Sequence, residues 1–295
     1  MSSIRKIFFP TKFEELSFLV VQQLLALKKA GLEEIEFLYV IDRDDVAFDR
    51  YRGFDEEAAA RLRHEAETRF EDWEKQLAAE GVASTYKVEV GNPEAEILSG
   101  IKSSGADLVV AGRQHEKAIE RVYLGGTSMT IVRHSSIPVM ICKPTADDRA
   151  ADDRALNPFE RVLLVTDFSD VAAAAESFGA LLGAASSECH LAHVLNDRDT
   201  GGKDDSRFAA ISAESESELD QRKGALVATY PKVSTHLCAG KTVEEILRLR
   251  TESDATIIVM GTTGRHGLSE LWLGSASHRC VEMSEVPVLL VPKSA

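Results

Sequence analysis

Short apolar runs alternate along the chain with longer segments in which apolar residues recur every three or four positions. Runs such as IFF (7–9) and VLLV (162–165) are rich in β-branched or aromatic residues, which favours strands. The segment after the first run has the period of an amphipathic helix, with an apolar face formed by Leu16, Leu19, Val20, Leu24 and Leu27. Because the strand-like runs are continuous rather than alternating, we expect parallel strands buried by helices on both faces.

The whole pattern occurs twice. Three pairs of segments that match in the same order are KIFFPTKFEE (6–15) with RVLLVTDFSD (161–170), VGNPEAEIL (90–98) with AGKTVEEIL (239–247), and SSIPVMICKP (135–144) with SEVPVLLVPK (284–293). Each copy predicts five strands that alternate with helices. The sequence therefore predicts an α/β protein of two tandem, doubly wound parallel-sheet domains, in which ligands bind at the carboxyl ends of the strands.

The predicted domains are residues 1–144 and 158–295, joined by a charged, Ala-rich linker at 145–157. The last strand of each copy would otherwise leave an apolar sheet edge exposed. We expect the two last strands to pair with each other, which would make the chain an intramolecular pseudo-dimer.

Composition excludes several classes of protein. The 295 residues carry 34 Lys and Arg against 48 Asp and Glu, a net charge of −14, which argues against a nucleic-acid surface. No apolar run reaches the ~18 residues that a membrane span needs, and the first residues lack a signal-peptide core. The four cysteines are far apart in the sequence, as is typical of reduced thiols. We expect a cytoplasmic protein without a membrane span.

Glycine is concentrated in the segment MGTTGRHGLSELWLGSASHR (260–279), which follows the strand-like run ATIIVM. Missing side chains let a backbone approach a ligand closely, and the N–H groups that begin a helix bind anions. The alternative is that these residues are turn glycines and a serine that caps a helix. The segment follows the fourth strand of the second copy, where this fold places its ligands.

The second copy resembles the universal stress protein family. Its nucleotide-binding members carry G-x2-G-x9-G-[ST], which Gly261, Gly264, Gly274 and Ser275 match here. Further matches are Thr166-Asp167 after the first strand, His193-Val194-Leu195 in the second strand, and Val286-Pro287-Val288 before the last strand. The resemblance extends over both copies and implies domains similar to the adenine nucleotide alpha-hydrolase fold.

The resemblance implies an ATP or AMP molecule that lies across the glycine segment, with or without Mg²⁺ or Mn²⁺ bound at Asp167. The adenine would lie near the Val194 backbone, Asp167 would face the base or ribose, and the phosphates would contact Gly264, Gly274, Ser275 and Ser277. The full set of predicted nucleotide-binding residues is Thr166, Asp167, Val194, Met260, Gly261, Gly264, Gly274, Ser275, Ala276 and Ser277. Asp167 has an alternative role as the N-cap of the following helix.

The first copy departs from this pattern at three positions. Lys12 replaces Asp167, His115 replaces Gly264, and Gly126 replaces Ser275. We expect His115 to be strained at the φ that glycine adopts freely, and its side chain to fill the space of a phosphate. The sequence therefore predicts one nucleotide per chain, in the second copy.

Two other motifs are not interpreted as sites. AGKTVEE (239–245) resembles the end of a phosphate-binding P-loop, but Thr235 stands where its first glycine is required. His190 and His193 lie three residues apart on a predicted strand and should point to opposite faces, so they do not form a metal site.

The function we expect is a stress-response protein that binds ATP or AMP as a regulatory or interaction module. Enzyme status stays open, with slow ATP hydrolysis as its upper limit, because no general base or carboxylate cluster is evident. The first alternative is a nucleotide-independent scaffold built as a pseudo-dimer. A second is a flavoprotein or dinucleotide-binding protein, which lacks its GxGxxG after the first strand here. Self-association and an unidentified protein partner are compatible with the first two functions.

Overall fold

The computed structural model describes residues 3–13, 18–46, 55–112, 125–142, 157–196, 205–264 and 273–293. His115 and residues 145–156 of the predicted linker lie outside the described residues. The two-domain division at this linker stays a prediction.

Each half contains five strands and four helices among its described residues. In the first half these are β1 (Lys6–Pro10), α1 (Phe18–Leu24), β2 (Glu34–Asp42), α2 (Glu56–Ala79), β3 (Ala83–Gly91), α3 (Pro93–Ser104), β4 (Leu108–Gly112), α4 (Gly126–His134) and β5 (Val139–Cys142). In the second half they are β6 (Arg161–Val165), α5 (Asp170–Leu181), β7 (Glu188–Leu195), α6 (Asp205–Leu226), β8 (Lys232–Ala239), α7 (Thr242–Glu252), β9 (Ile257–Gly261), α8 (Ser275–Met283) and β10 (Val288–Val291). Short 3₁₀ helices lie at Leu25–Ala30, Arg43–Val46 and Leu182–Ala185. All ten predicted strands are present, so the α/β prediction is confirmed.

The strands form one ten-stranded sheet in the order β3-β2-β1-β4-β5-β10-β9-β6-β7-β8. Neighbours are parallel within each half, whereas β5 and β10 are antiparallel. Met140 faces Leu289 at the centre of this junction, and the pairs on either side are related by a local two-fold axis. The predicted pairing of the last strands is confirmed.

Two apolar cores cover the two faces of the sheet, and both extend across the two halves. One core lies under α1, α2, α5 and α6, with large side chains such as Phe70 and Phe178. The other lies under α3, α4, α7 and α8, with Ile97 and Ile246 among its members. Burial on both faces explains why the strands are continuously apolar. Because each core contains residues of both halves, the halves share one folded unit rather than touching only at a surface.

The duplication is visible in the turn that follows the first strand of each half. Phe13 and Phe168 both adopt φ 63°, in the left-handed region that side chains rarely occupy. An arginine lies 5.0 Å above each ring, Arg69 over Phe13 and Arg222 over Phe168. The same strained turn and the same cation–π contact therefore support both copies.

The order of strands creates a switch point in each half, between β1 and β4 and between β6 and β9. Chain connections leave in opposite directions there, which opens a crevice at the carboxyl ends of the strands. No helix in the described part of the chain is both long enough and apolar enough to cross a membrane.

Candidate functional site

A cavity of about 630 Å³ lies at the carboxyl ends of β6, β7 and β9, at the switch point of the second half. All ten residues predicted from the sequence line it: Thr166, Asp167, Val194, Met260, Gly261, Gly264, Gly274, Ser275, Ala276 and Ser277. They come from four separate segments of the chain, so the fold brings together what the sequence separates. Their role in binding a nucleotide stays a prediction.

Asp167 enters the cavity on the turn between β6 and α5. Its Oδ1 accepts hydrogen bonds from Ser169 N at 3.1 Å and from Ser169 Oγ at 2.5 Å. Ser169, and not Asp167, caps the helix, because the Ser169 Oγ accepts from Ala172 N. The alternative role of Asp167 as the N-cap of α5 is therefore wrong, and its carboxylate is held in place beside the cavity.

Thr166 builds this turn. Its hydroxyl donates to Glu176 Oε1 at 2.6 Å and accepts from Phe168 N, while its carbonyl lies 2.8 Å from His193 Nδ1. Only 2% of Thr166 is exposed. Arg222 completes the support, because it forms an ion pair with Glu176 at 2.8 Å and covers the Phe168 ring. The position of Asp167 thus depends on a network of buried and half-buried partners behind it.

The three glycines of the motif are required by space rather than by backbone conformation. None of them has a φ in the left-handed region. The sequence predicts for Gly264 a φ at which its counterpart His115 would be strained, and Gly264 does not adopt such a φ. A Cβ at Gly264 would lie 2.8 Å from Asp167 Oδ2, and one at Gly261 would lie 2.7 Å from Val171 Cγ1. A Cβ at Gly274 would lie 3.3 Å from Thr262 O. Gly264 therefore makes room for the carboxylate that faces the cavity.

The start of α8 supplies hydrogen-bond donors to the cavity. Gly274 is the N-cap, and its carbonyl accepts the first helical hydrogen bond from His278 N at 2.9 Å. The amides of Ser275, Ala276 and Ser277 consequently have no partner within the helix, and the first turn contains no acidic residue. Such a helix start attracts an anion.

The hydroxyl of Ser277 has a structural role that the sequence did not reveal. Ser277 is 3% exposed, and its Oγ donates to Gly261 O at 2.8 Å. In the first half, Ser128 Oγ donates to Gly112 O at 2.6 Å in the same way. Because both halves keep this bond, the hydroxyl ties the helix to the end of the strand, and the predicted phosphate contact of Ser277 is left to its amide.

Comparison with known proteins agrees with this architecture. The sequence model of the universal stress protein family matches the chain twice, over residues 3–143 and 158–292. The chain belongs to the universal stress protein family. A crystal structure of a universal stress protein from Archaeoglobus fulgidus is 25% identical to it, with a TM-score of 0.70 and 98% of both chains covered.

Two further relatives match part of this universal stress protein. One from Mycobacterium tuberculosis is 28% identical over 65% of this chain and 64% of its own length, slightly less than two thirds of that relative. A universal stress protein in complex with cAMP is 22% identical and covers 45% of this chain and 97% of its own, with a TM-score of 0.33.

Several cavity residues of this universal stress protein were missed from the sequence. They lie directly after β7, between β8 and α7, on α7 and on α8, and include Asn196, Lys241, Glu244 and Arg279. Lys241 lies in the AGKT segment, whose spacing does not fit a P-loop. Its position two residues after the end of β8 was the sequence signal that places it at the carboxyl edge of the sheet. The described residues that line the cavity include two basic side chains, Lys241 and Arg279, and two acidic ones, Asp167 and Glu244, so their formal charges cancel.

The first half has a smaller cavity of about 220 Å³ at the equivalent edge. Lys12, Asp42, Gly112 and Thr127 are among the residues that line it. Lys12, which the alignment of the two copies matches to Asp167, thus lines the cavity of the first half as Asp167 lines that of the second.

The two histidines of β7 lie on opposite faces of the sheet, as predicted. His190 Nδ1 is 3.1 Å from His236 Nε2. His193 contacts the Thr166 carbonyl and packs against Phe168, with 4.3 Å between the ring centroids and a tilt of 35° between the rings. Burial lowers the pKa of both His190 and His236. The described residues contain no group of three or more His, Cys, Asp or Glu side chains placed to hold a metal ion.

Proposed function

We propose that this universal stress protein binds one adenine nucleotide, ATP or AMP, in the second-half cavity and acts as a nucleotide-responsive regulatory or interaction module. The observation that carries the proposal is the convergence of a fixed carboxylate, Asp167, and the open amides of α8 on one cavity at the switch point. A nucleotide requires two kinds of contact at its opposite ends: a carboxylate that accepts hydrogen bonds from the ribose hydroxyls, and amides that donate hydrogen bonds to the phosphates.

The charges are compatible with an anionic ligand. Although the chain has a net charge of −14, the helix start presents N–H groups, and Lys241 and Arg279 line the same cavity. In the proposed complex these groups hold the phosphates, Asp167 holds the ribose or base, and the Val194 backbone contacts the adenine. Mg²⁺ or Mn²⁺ would be held mainly by the phosphates, with Asp167 as a protein carboxylate that lines the same cavity, so we expect binding without added metal.

Isothermal titration with ATP and AMP, in EDTA and in Mg²⁺, tests the proposal. The critical variant is Ser275→Glu, which places a carboxylate at the first position of α8. The matched control is Gly126→Glu, because Gly126 is the first position of α4 in the other half. An acidic residue in a first turn stabilises a helix, which favours folding of Ser275→Glu. A Cβ at Gly126 would lie 3.5 Å from Glu94 Oε1, so thermal unfolding is measured to check that Gly126→Glu folds.

We expect one nucleotide per chain for the unsubstituted protein and for Gly126→Glu, and loss of binding for Ser275→Glu. Binding that survives Ser275→Glu but is lost in Gly126→Glu would move the site to the first half. Absence of binding by the unsubstituted protein at millimolar ATP would reject the proposal.

A second candidate function is a nucleotide-independent scaffold, and the antiparallel junction of β5 and β10 favours it. This junction makes the chain a pseudo-dimer whose outer surfaces could engage a protein partner or further copies of the chain. Nucleotide extracted from the purified protein distinguishes the two. About one adenine nucleotide per chain supports the binding module, whereas none, together with no measurable affinity, supports the scaffold.

A further inference from the structure

The start of α4 in the first half lies beside a carboxylate from the neighbouring helix. Glu94 Oε1 is 3.5 Å from the position that a Cβ at Gly126 would occupy. Its other oxygen, Oε2, accepts a hydrogen bond from Thr130 Oγ1 at 3.1 Å. Glu94 lies in the first turn of α3 and Thr130 on α4, so the packing of the two helices fixes the carboxylate there.

This arrangement gives the first half an internal anion. A negative charge at a helix start is stabilised by the helix dipole. A second anion that approaches the same amides would lie close to the Glu94 carboxylate and be repelled by it. Gly126 is the counterpart of Ser275, so the carboxylate lies beside the helix start that corresponds to the proposed phosphate site of the second half.

The second half differs at both positions of this pair. Alignment of PEAEIL (93–98) with TVEEIL (242–247) matches Glu94 to Val243, and alignment of the helices α4 and α8 matches Thr130 to Arg279. Val243 is 7% exposed, and both Val243 and Arg279 line the large cavity. A carboxylate is thus replaced by an apolar group and a hydroxyl by a guanidinium at matched sites.

We propose that this pair of positions decides which half accepts a phosphate-bearing ligand. Glu94, held by Thr130, closes the first half to phosphates, whereas Val243 and Arg279 leave the second half open to them. The inference rests on the proposed function and adds specificity-determining residues to it. It differs from the loss of glycine at His115, because it acts through charge at the helix start.

The test transfers the acidic residue to the second half as Val243→Glu, with Val243→Gln as a neutral control of nearly the same size. ATP and adenosine are titrated into each variant, and thermal unfolding reports whether each variant folds. We expect Val243→Glu to weaken ATP binding roughly 10- to 100-fold and to leave adenosine binding within about threefold. Val243→Gln should keep the ATP affinity within about threefold, because it carries no charge.

Equal loss of ATP in Val243→Glu and Val243→Gln overturns the inference, because the effect would then be one of size. ATP binding by Val243→Glu at the unsubstituted affinity overturns it as well. If the unsubstituted chain binds no ATP, the proposed function is rejected, and the inference with it.

Because a substitution at buried Val243 can impair folding, the exposed Arg279 provides a second test. Arg279→Thr introduces the first-half residue and should weaken ATP binding about 3- to 10-fold without changing adenosine binding. Arg279→Lys should retain most of the ATP affinity. Equal weakening of ATP and adenosine in Arg279→Thr, or no weakening of either, contradicts a role for Arg279 at the phosphates.

Discussion

Gly264→Ala is the sharpest probe of the site, because a single methyl group would meet the Asp167 carboxylate. The added Cβ would lie 2.8 Å from Asp167 Oδ2, so the carboxylate would have to retreat by about half an ångström to reach ordinary contact. Its other oxygen is anchored by two hydrogen bonds from Ser169, at 3.1 and 2.5 Å. Retreat therefore weakens bonds to a charged group, each worth about 1.5–3 kcal/mol.

We expect Gly264→Ala to lower the affinity for ATP about 10- to 100-fold, which corresponds to about 1.4–2.8 kcal/mol. Isothermal titration measures this loss, and Gly224→Ala is the control, because a Cβ at Gly224 meets nothing within 4 Å. In a double-mutant cycle with Asp167→Ala, the two effects should be far from additive, since both act on the same carboxylate. Additive effects, or an affinity within twofold of the unsubstituted protein, would refute this reasoning.

Three further predictions concern stability and reactivity. Ser277→Ala and Ser128→Ala each remove a hydrogen bond from a helix to the end of a strand, so each should lower the free energy of unfolding in urea by about 1–2 kcal/mol. The ATP affinity should be nearly unchanged in both. A large loss of ATP affinity in Ser277→Ala alone would mean that its hydroxyl binds the ligand. Burial lowers the pKa of His190 and His236 in the folded chain. As the pH falls below about 6.5, these histidines therefore bind protons in the unfolded chain before they do so in the folded chain. The free energy of unfolding should then decrease by up to about 1.4 kcal/mol per pH unit for each histidine. His190→Gln should flatten this dependence between pH 5 and 7, whereas replacement of the exposed His134 should not. Burial raises the pKa of three of the four cysteines to about 12, so Ellman's reagent should label all four only after unfolding; rapid labelling of the native chain would contradict this.

The strands were predictable because burial on both faces leaves a strong trace in the sequence. Continuous apolar runs such as VLLV and VMIC have no polar face to present, which restricts them to a covered parallel sheet. The junction of β5 and β10 was also predictable, since an apolar edge at the end of each copy requires a partner.

The place of the candidate site was predictable, but the reasons for its residues were only partly so. Ligands of this fold bind at the carboxyl ends of the strands, which placed the glycine segment with Gly261 at the site, whereas Asp167 was added by the family resemblance. The proximity of Gly264 to the carboxylate, and the bond from Ser277 to Gly261, depend on contacts between side chains and backbone at long sequence separation. No local sequence pattern records such contacts. From the sequence alone, Gly264 is therefore explained by a backbone φ that only glycine adopts freely, and Ser277 by a contact with a phosphate.

The support behind Asp167 was missed for the same reason. Glu176 and Arg222 lie on helices α5 and α6 and meet only because both helices cover one face of the sheet. Each is unremarkable in sequence, as a charged residue on an amphipathic helix. Their importance follows from Phe168, whose left-handed turn they hold.

The antiparallel junction at Met140 and Leu289 has a consequence for how such a protein can change over generations. In a dimer of identical chains, every substitution appears in both partners at once. Here one gene encodes both partners, so either half can accumulate substitutions while the other keeps its own residues. The tether also maintains a high local concentration of the two partners, so their association does not weaken on dilution. Fusion has thus released the two halves from symmetry without loosening their contact.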